Sequence, residues 1–223
     1  MTNKYKKFPK KLLVEGKDDL YVIAGVRDGY KLPANFEIID CEGVENISDN
    51  LLAYIKSRQE VIGVVVDADA DTSNIEDSLK ARWDSLRDVL ANAGYQMPKI
   101  PNVNGTIIEG NDRNPRIGIW LMPDNVQQPG MLEDFATTLI PLNDLLKPVA
   151  EQVLAQIGAM RSTATEQSPW FKPIHHSKAL IHTWLAWQES PGTPMGLAIT
   201  KTYLDHNTEL CRRFADWLQR LFN

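Results

Sequence analysis

"VIGVVVDADAD", residues 61–71, decides how this chain folds. Its first six positions are apolar without alternation, and five of them are β-branched. A strand covered on both faces reads this way, as at the centre of a parallel sheet. The run then breaks into Asp67, Asp69 and Asp71, spaced two apart. In an extended segment Asp67 and Asp69 point to the same side.

Working outward, the same grammar repeats. "LLVEGKDD" (12–19) is a short apolar strand ending in Glu15 and Gly16, followed by a helix over 18–28 that stops near Gly29. "FEIIDCEG" (36–43) reads as a second strand, and Ile47, Leu51, Leu52 and Ile55 then fall at helical spacing. After the aspartates, Ser73 and Glu76 form a capping box for a helix carrying Ile75, Leu79, Leu86 and Leu90, closed by Gly94. Three strand–helix units in succession predict an α/β fold: a Rossmann-like, mainly parallel sheet flanked by helices. "GTIIEG" (105–110) and "RIGIWLMP" (116–123) add two strands, and a helix starts near Met131.

Beyond residue 142 the pattern turns helical. Residues 143–160 and 178–187 read as helices, 161–173 as a loop, and the last helix aligns Leu210, Phe214, Trp217, Leu218 and Leu221. The expected organisation is a core over 1–142 and an α-helical C-terminal extension over 143–223 that packs on it.

Composition narrows the function classes. The 223 residues are 43% hydrophobic and 24% charged, with a net charge of −5. No apolar run reaches the ~20 residues a bilayer span needs, and no apolar stretch follows the N-terminal lysines as a signal peptide would require. Cys41 and Cys211 lie far apart in no metal-binding spacing, which fits reduced thiols and a cytoplasmic location. Lys4, Lys6, Lys7, Lys10 and Lys11 crowd the first segment. A solvated tail is the plain reading of that run, and a phosphate-contacting, nucleic-acid-binding arm is the sharper one. The four histidines show no ligand spacing, and no P-loop, GxGxxG or Ser-His-Asp arrangement is present.

The chemistry gathers at strand ends. Ligands of open parallel sheets bind beyond the carboxyl ends of the strands. If the strands ending at Glu15 and Asp67 are neighbours, their tips lie about 5 Å apart. Glu15, Asp67 and Asp69 then converge, and such a cluster is relieved by a hard divalent cation, Mg²⁺ or Mn²⁺. Glu133 and Asp134 of "GMLEDF" supply a further acidic pair. An EF-hand reading of "DADADTSN" fails, because Thr72 and Ser78 stand where that loop needs Gly and Glu. Asp71 is expected to turn away into an outer shell, since the helix capped by Ser73 must begin within two residues.

These motifs resemble the toprim fold, the catalytic domain shared by topoisomerases, primases and several nucleases. "VEG" (Glu15, Gly16) matches its first acidic motif and "VVVDAD" (Asp67, Asp69) its second. Glu15 and Asp19 are similar to the Glu-x-x-x-Asp of overcoming-lysogenization-defect nucleases, in which a later helix adds a Glu, here Glu133. "VEGKDD" also resembles the start of the ribosomal RNA maturase of the M-five type, although Asp71-Thr72 departs from the pattern that follows there. More closely, "LLVEGKDD", "VVVDADAD", "ARWDSL", "IWLMPDN", "GMLEDF" and "PMGLAITKTYLD" resemble an uncharacterised bacterial toprim-like family of unknown function. The resemblance implies Mg²⁺- or Mn²⁺-dependent phosphodiester chemistry on DNA or RNA. Its catalytic residues would be Glu15, Asp67 and Asp69, with Asp19 and Glu133 as further metal ligands. A nuclease is the leading class. The competing class is a non-enzymatic or conditional partner of a separate ATPase.

Overall fold

The computed structural model describes residues 8–57, 59–68, 77–127, 130–161 and 170–223. Five strands form one sheet: β1 (Lys10–Val14), β2 (Glu37–Asp40), β3 (Val61–Asp67), β4 (Thr106–Ile108) and β5 (Arg116–Met122), in the order β2-β1-β3-β5-β4. All neighbours are parallel except β4, which runs antiparallel to β5 at the edge. The expected α/β sheet is therefore present, with β1 and β3 side by side.

Helices cover both faces: α1 (Lys17–Gly29), α2 (Ile47–Lys56), α3 (Ser78–Asn92), α4 (Leu132–Thr138), α5 (Leu146–Arg161), α6 (His176–Ala186), α7 (Met195–Thr200) and α8 (Glu209–Phe222). The alternation of strand side chains sorts the core into two layers. Leu13, Ile62, Val64, Val66, Ile117, Ile119 and Leu121 face α2 and α3, where they meet Ile47, Leu51, Trp83, Leu86 and Leu90. Leu12, Val14, Val65, Trp120 and Met122 face the other way, toward Val22 and Ile23 of α1, Phe135 of α4, Trp184 of α6 and Phe214, Trp217 and Leu221 of α8. Residues on both sides of position 142 thus share one apolar cluster.

Paired glycines seat the last helix. Gly63 and Gly118 are register partners on β3 and β5. A Cβ at Gly118 would lie 2.4 Å from Leu221 Cδ2, and one at Gly63 would lie 3.0 Å from the same atom. Their missing side chains form the notch that Leu221 fills. The C-terminal carbonyls of α8, which lack partners within the helix, are met across the chain. Lys10 Nζ donates to Phe222 O at 2.5 Å, Asn35 Nδ2 to Phe222 O at 3.1 Å, and Arg116 Nη1 to Leu221 O at 3.2 Å.

Two details depart from expectation, and a third expectation falls partly outside the described residues. β2 ends at Asp40 because Glu42 and Gly43 adopt positive φ and turn the chain, so that the Gly43 N–H donates to Glu15 O at 2.9 Å. The helix α7 was not anticipated; it is short and crosses α1 on glycines, where a Cβ at Gly196 would lie 2.4 Å from the Tyr21 backbone. The capping residues Ser73 and Glu76 lie outside the described residues; α3 begins at Ser78 and closes at Gly94, whose φ is +90°. No helix among the described residues is long and apolar enough to cross a membrane.

Candidate acidic cleft

Strand order places the site. The chain leaves β1 for β2 on one side, then returns to β3 on the other, so the crevice between the carboxyl ends of β1 and β3 is the topological switch point. Glu15 follows β1 and Asp67 ends β3. Glu15 Oε1 accepts the Asp67 N–H at 2.7 Å, and Asp67 Oδ1 accepts the Leu132 N–H at 2.9 Å. The Asp67 carbonyl also receives Arg82 Nε at 3.1 Å. Three elements, β1, β3 and the start of α4, are therefore pinned together through two carboxylates.

An open cleft of about 630 Å³ lies over this junction, lined by seven carboxylate side chains and by Lys17 and Lys178. Asp19 is buried on its wall. Its Oδ2 accepts the Gly16 N–H at 3.2 Å and caps α1, while its Oδ1 has no hydrogen-bond partner among the described residues. Burial, then the nearby Glu15 charge, pushes the Asp19 carboxyl up to about 7, against the pull of the Gly16 N–H. A carboxyl in this state holds or releases a proton near neutrality.

Glu133, also buried, pairs with Lys178 of α6 at 3.0 Å. Burial pulls the Lys178 ammonium down, but the hydrogen bond and charge of Glu133, with Asp67 and Asp18 behind them, leave it above the ordinary lysine value. Asp134, its neighbour in sequence, takes a different role. It accepts the Met131 N–H at 2.9 Å at the start of α4, and Ser177 Oγ donates to its other oxygen.

Of the residues singled out by sequence, Glu15, Asp19, Asp67 and Glu133 line one cleft. Asp69 and Asp71 lie outside the described residues, as do Lys4, Lys6 and Lys7. Among the described residues no three His, Cys, Asp or Glu side chains stand in a group ready to hold a metal ion. Lys10 and Lys11 are at the amino end of β1, the opposite edge of the sheet from Glu15. Lys10 caps α8, and Lys11 is buried in an ion pair with Glu37. Neither lines the cleft. Burial pushes the Cys41 thiol up to about 11 and the Cys211 thiol up to about 12, so neither is a ready nucleophile.

Asp40 and Glu42 line the cleft without having been singled out by sequence, and so does Lys178. It sits in "SKALIHTWLAW", where the apolar residues announce a packed helix and nothing marks the lysine.

One family model, described as "Protein of unknown function (DUF3226)", matches residues 9–223. The chain belongs to the DUF3226 family. No curated protein and no solved structure matches it.

Proposed function

We propose that this DUF3226 protein is a toprim-type, metal-dependent nuclease that works through the acidic cleft. The observation that carries the reading is the Glu15–Asp67 contact at the switch point. Two carboxylates from adjacent central strands meet there, and each accepts a backbone N–H. Strand ends are rigid, and carboxylates crowded there repel one another, a cost that a bound cation relieves.

The donor set fits Mg²⁺ or Mn²⁺. All its members are hard oxygen ligands, and the buried Asp19 Oδ1 is a donor site without a partner among the described residues. Glu15, Asp19, Asp67 and Glu133 would hold the ion, and Asp69 is the further ligand that the toprim resemblance implies. When bound, such an ion neutralises phosphate oxygens and lowers the pKa of an attacking water. The protein's own contribution is orientation and proton handling. The Asp67 N–H fixes one Glu15 oxygen, and Glu15 would serve as general base or acid. Asp19, whose carboxyl burial pushes up to about 7, would have to give up its proton to serve as a ligand.

The test is cleavage of DNA and RNA, single and double stranded, by the purified protein with Mg²⁺ or Mn²⁺. Glu15→Gln and Asp67→Asn keep the acceptor oxygens that pin β1, β3 and α4. Each is expected to abolish cleavage while leaving the melting temperature unchanged or higher. Cleavage that survives both substitutions and chelation overturns the proposal.

A further inference from the structure

The acid cleft already contains a cation of its own. Lys178 Nζ lies 3.0 Å from Glu133 Oε1; the glutamate side chain is only 6% exposed, whereas the lysine side chain is 52% exposed. A buried carboxylate needs a counter-charge, and this one is supplied from α6, more than forty residues further along the chain. In the same cleft Asp19 is 7% exposed, with its Oδ1 buried and unpartnered among the described residues. The lysine reaches Glu133 and stops there, leaving that oxygen for another ligand.

We infer that Lys178 is a tethered counter-cation that stands in for a divalent metal, yields Glu133 when the metal enters, and thereby sets the metal affinity of the cleft. The inference rests on the reading that this cleft binds a divalent cation. The chemistry of the side chain suits the task. Lysine is a compact charge on a flexible stem, held here by one oxygen rather than by a two-pronged grip. Its stem is half in solvent, so the ammonium can withdraw without moving α6. Until then it opposes any second cation near Glu133, and Asp67 and Asp18 act on the same ammonium. Lys178 is in this sense a positioning residue. It keeps the metal-free cleft assembled, at a cost in metal affinity.

Titration calorimetry of the full chain with MnCl₂, without nucleic acid, tests this on wild type, Lys178→Met and Lys178→Arg. Lys178→Met is expected to bind Mn²⁺ roughly tenfold more tightly, because one nearby repulsive charge is gone. Its metal-free melting temperature should fall, and Mn²⁺ should raise it by more than it raises wild type. Lys178→Arg keeps the charge and can grip Glu133 with two N–H groups, so it should bind Mn²⁺ no more tightly than wild type. If Lys178→Met fails to fold without metal, Lys178→Gln, which is neutral but can still donate to Glu133, carries the same comparison. Unchanged or weaker Mn²⁺ binding by the neutral variants overturns the inference while leaving the metal site standing. Absence of Mn²⁺ binding in wild type and neutral variants alike overturns both.

Discussion

The two edges of the central sheet treat charge in opposite ways. At the amino edge Lys10, Lys11 and Arg116 each reach a partner, respectively a helix-end carbonyl, Glu37, and a carbonyl together with Glu109, although the buried Arg116 Nε itself has none among the described residues. At the carboxyl edge anions outnumber cations seven to two around an open cleft, and one buried oxygen of Asp19 is left over among the described residues. One edge closes the fold. The other carries an excess of negative charge, and the proposed cation site rests on that excess. Substitutions at the amino edge and in the core should therefore cost stability and spare the cleft, and substitutions at the carboxyl edge should do the reverse.

The largest stability loss is expected beneath α8. A Cβ at Gly118 would sit 2.4 Å from Leu221 Cδ2 and 2.7 Å from Cδ1, in a fully buried contact where the whole branched end must move. Gly118→Ala should cost about 2–3 kcal/mol, toward the upper end for overpacking. Leu221→Ala alone empties the notch and should also destabilise. The double variant Gly118→Ala, Leu221→Ala should be more stable than the sum of the two losses implies, which denaturant unfolding of all four proteins can measure. Strictly additive losses would mean that α8 is not seated by this glycine pair.

At the carboxyl edge the sign reverses. The Asp19 carboxyl stands at about 7 in the fold against 3.8 in the unfolded chain. Between those values the folded state binds a proton that the unfolded state has released. Stability therefore falls as pH rises from about 4 to about 7, and is greatest below that window. The full gap corresponds to roughly 4 kcal/mol. Asp19→Asn keeps an oxygen to accept the Gly16 N–H and removes the titration. Without metal it should exceed wild type in stability at pH 8 by a large part of that amount, with the advantage vanishing near pH 4. A pH-independent difference between the two proteins would break the contrast between the edges.

How much of this was legible in the sequence depended on the range of the contacts. The strands β1 and β3 were readable because a strand buried on both faces writes itself as an unbroken apolar run. The convergence of Glu15 and Asp67 is conditional on the adjacency of these strands, which the strand order supplies. The rest was hidden for physical reasons. Lys10 looked like part of a basic tail because its partner, Phe222 O, is 212 residues away. Lys178 was invisible because it enters the cleft only through the packing of α6 on α4. Asp134 looked equivalent to Glu133, yet one residue of rotation at a helix start makes it a cap instead of a cleft wall. Short-range periodicity announces elements; it does not say which charge lands beside which.

The smallest effect falls at the amino edge and tests the division most directly. Lys10 Nζ donates to Phe222 O at 2.5 Å, at the end of α8 where unpaired carbonyls and the negative end of the helix dipole favour a cation. Asn35 and Arg116 remain nearby to share the load. Lys10→Met should accordingly lower stability by only about 1 kcal/mol, a loss of a few degrees in melting temperature that shrinks as salt is raised. If the edge is purely structural, nucleic-acid affinity and its salt dependence should match wild type once both proteins are compared below their melting transitions. A flatter salt slope for Lys10→Met, with stability unchanged, would show a phosphate contact in place of a helix cap. The basic segment would then serve binding after all, and the contrast between a closed edge and a reactive one would fail at the residue where it is easiest to check.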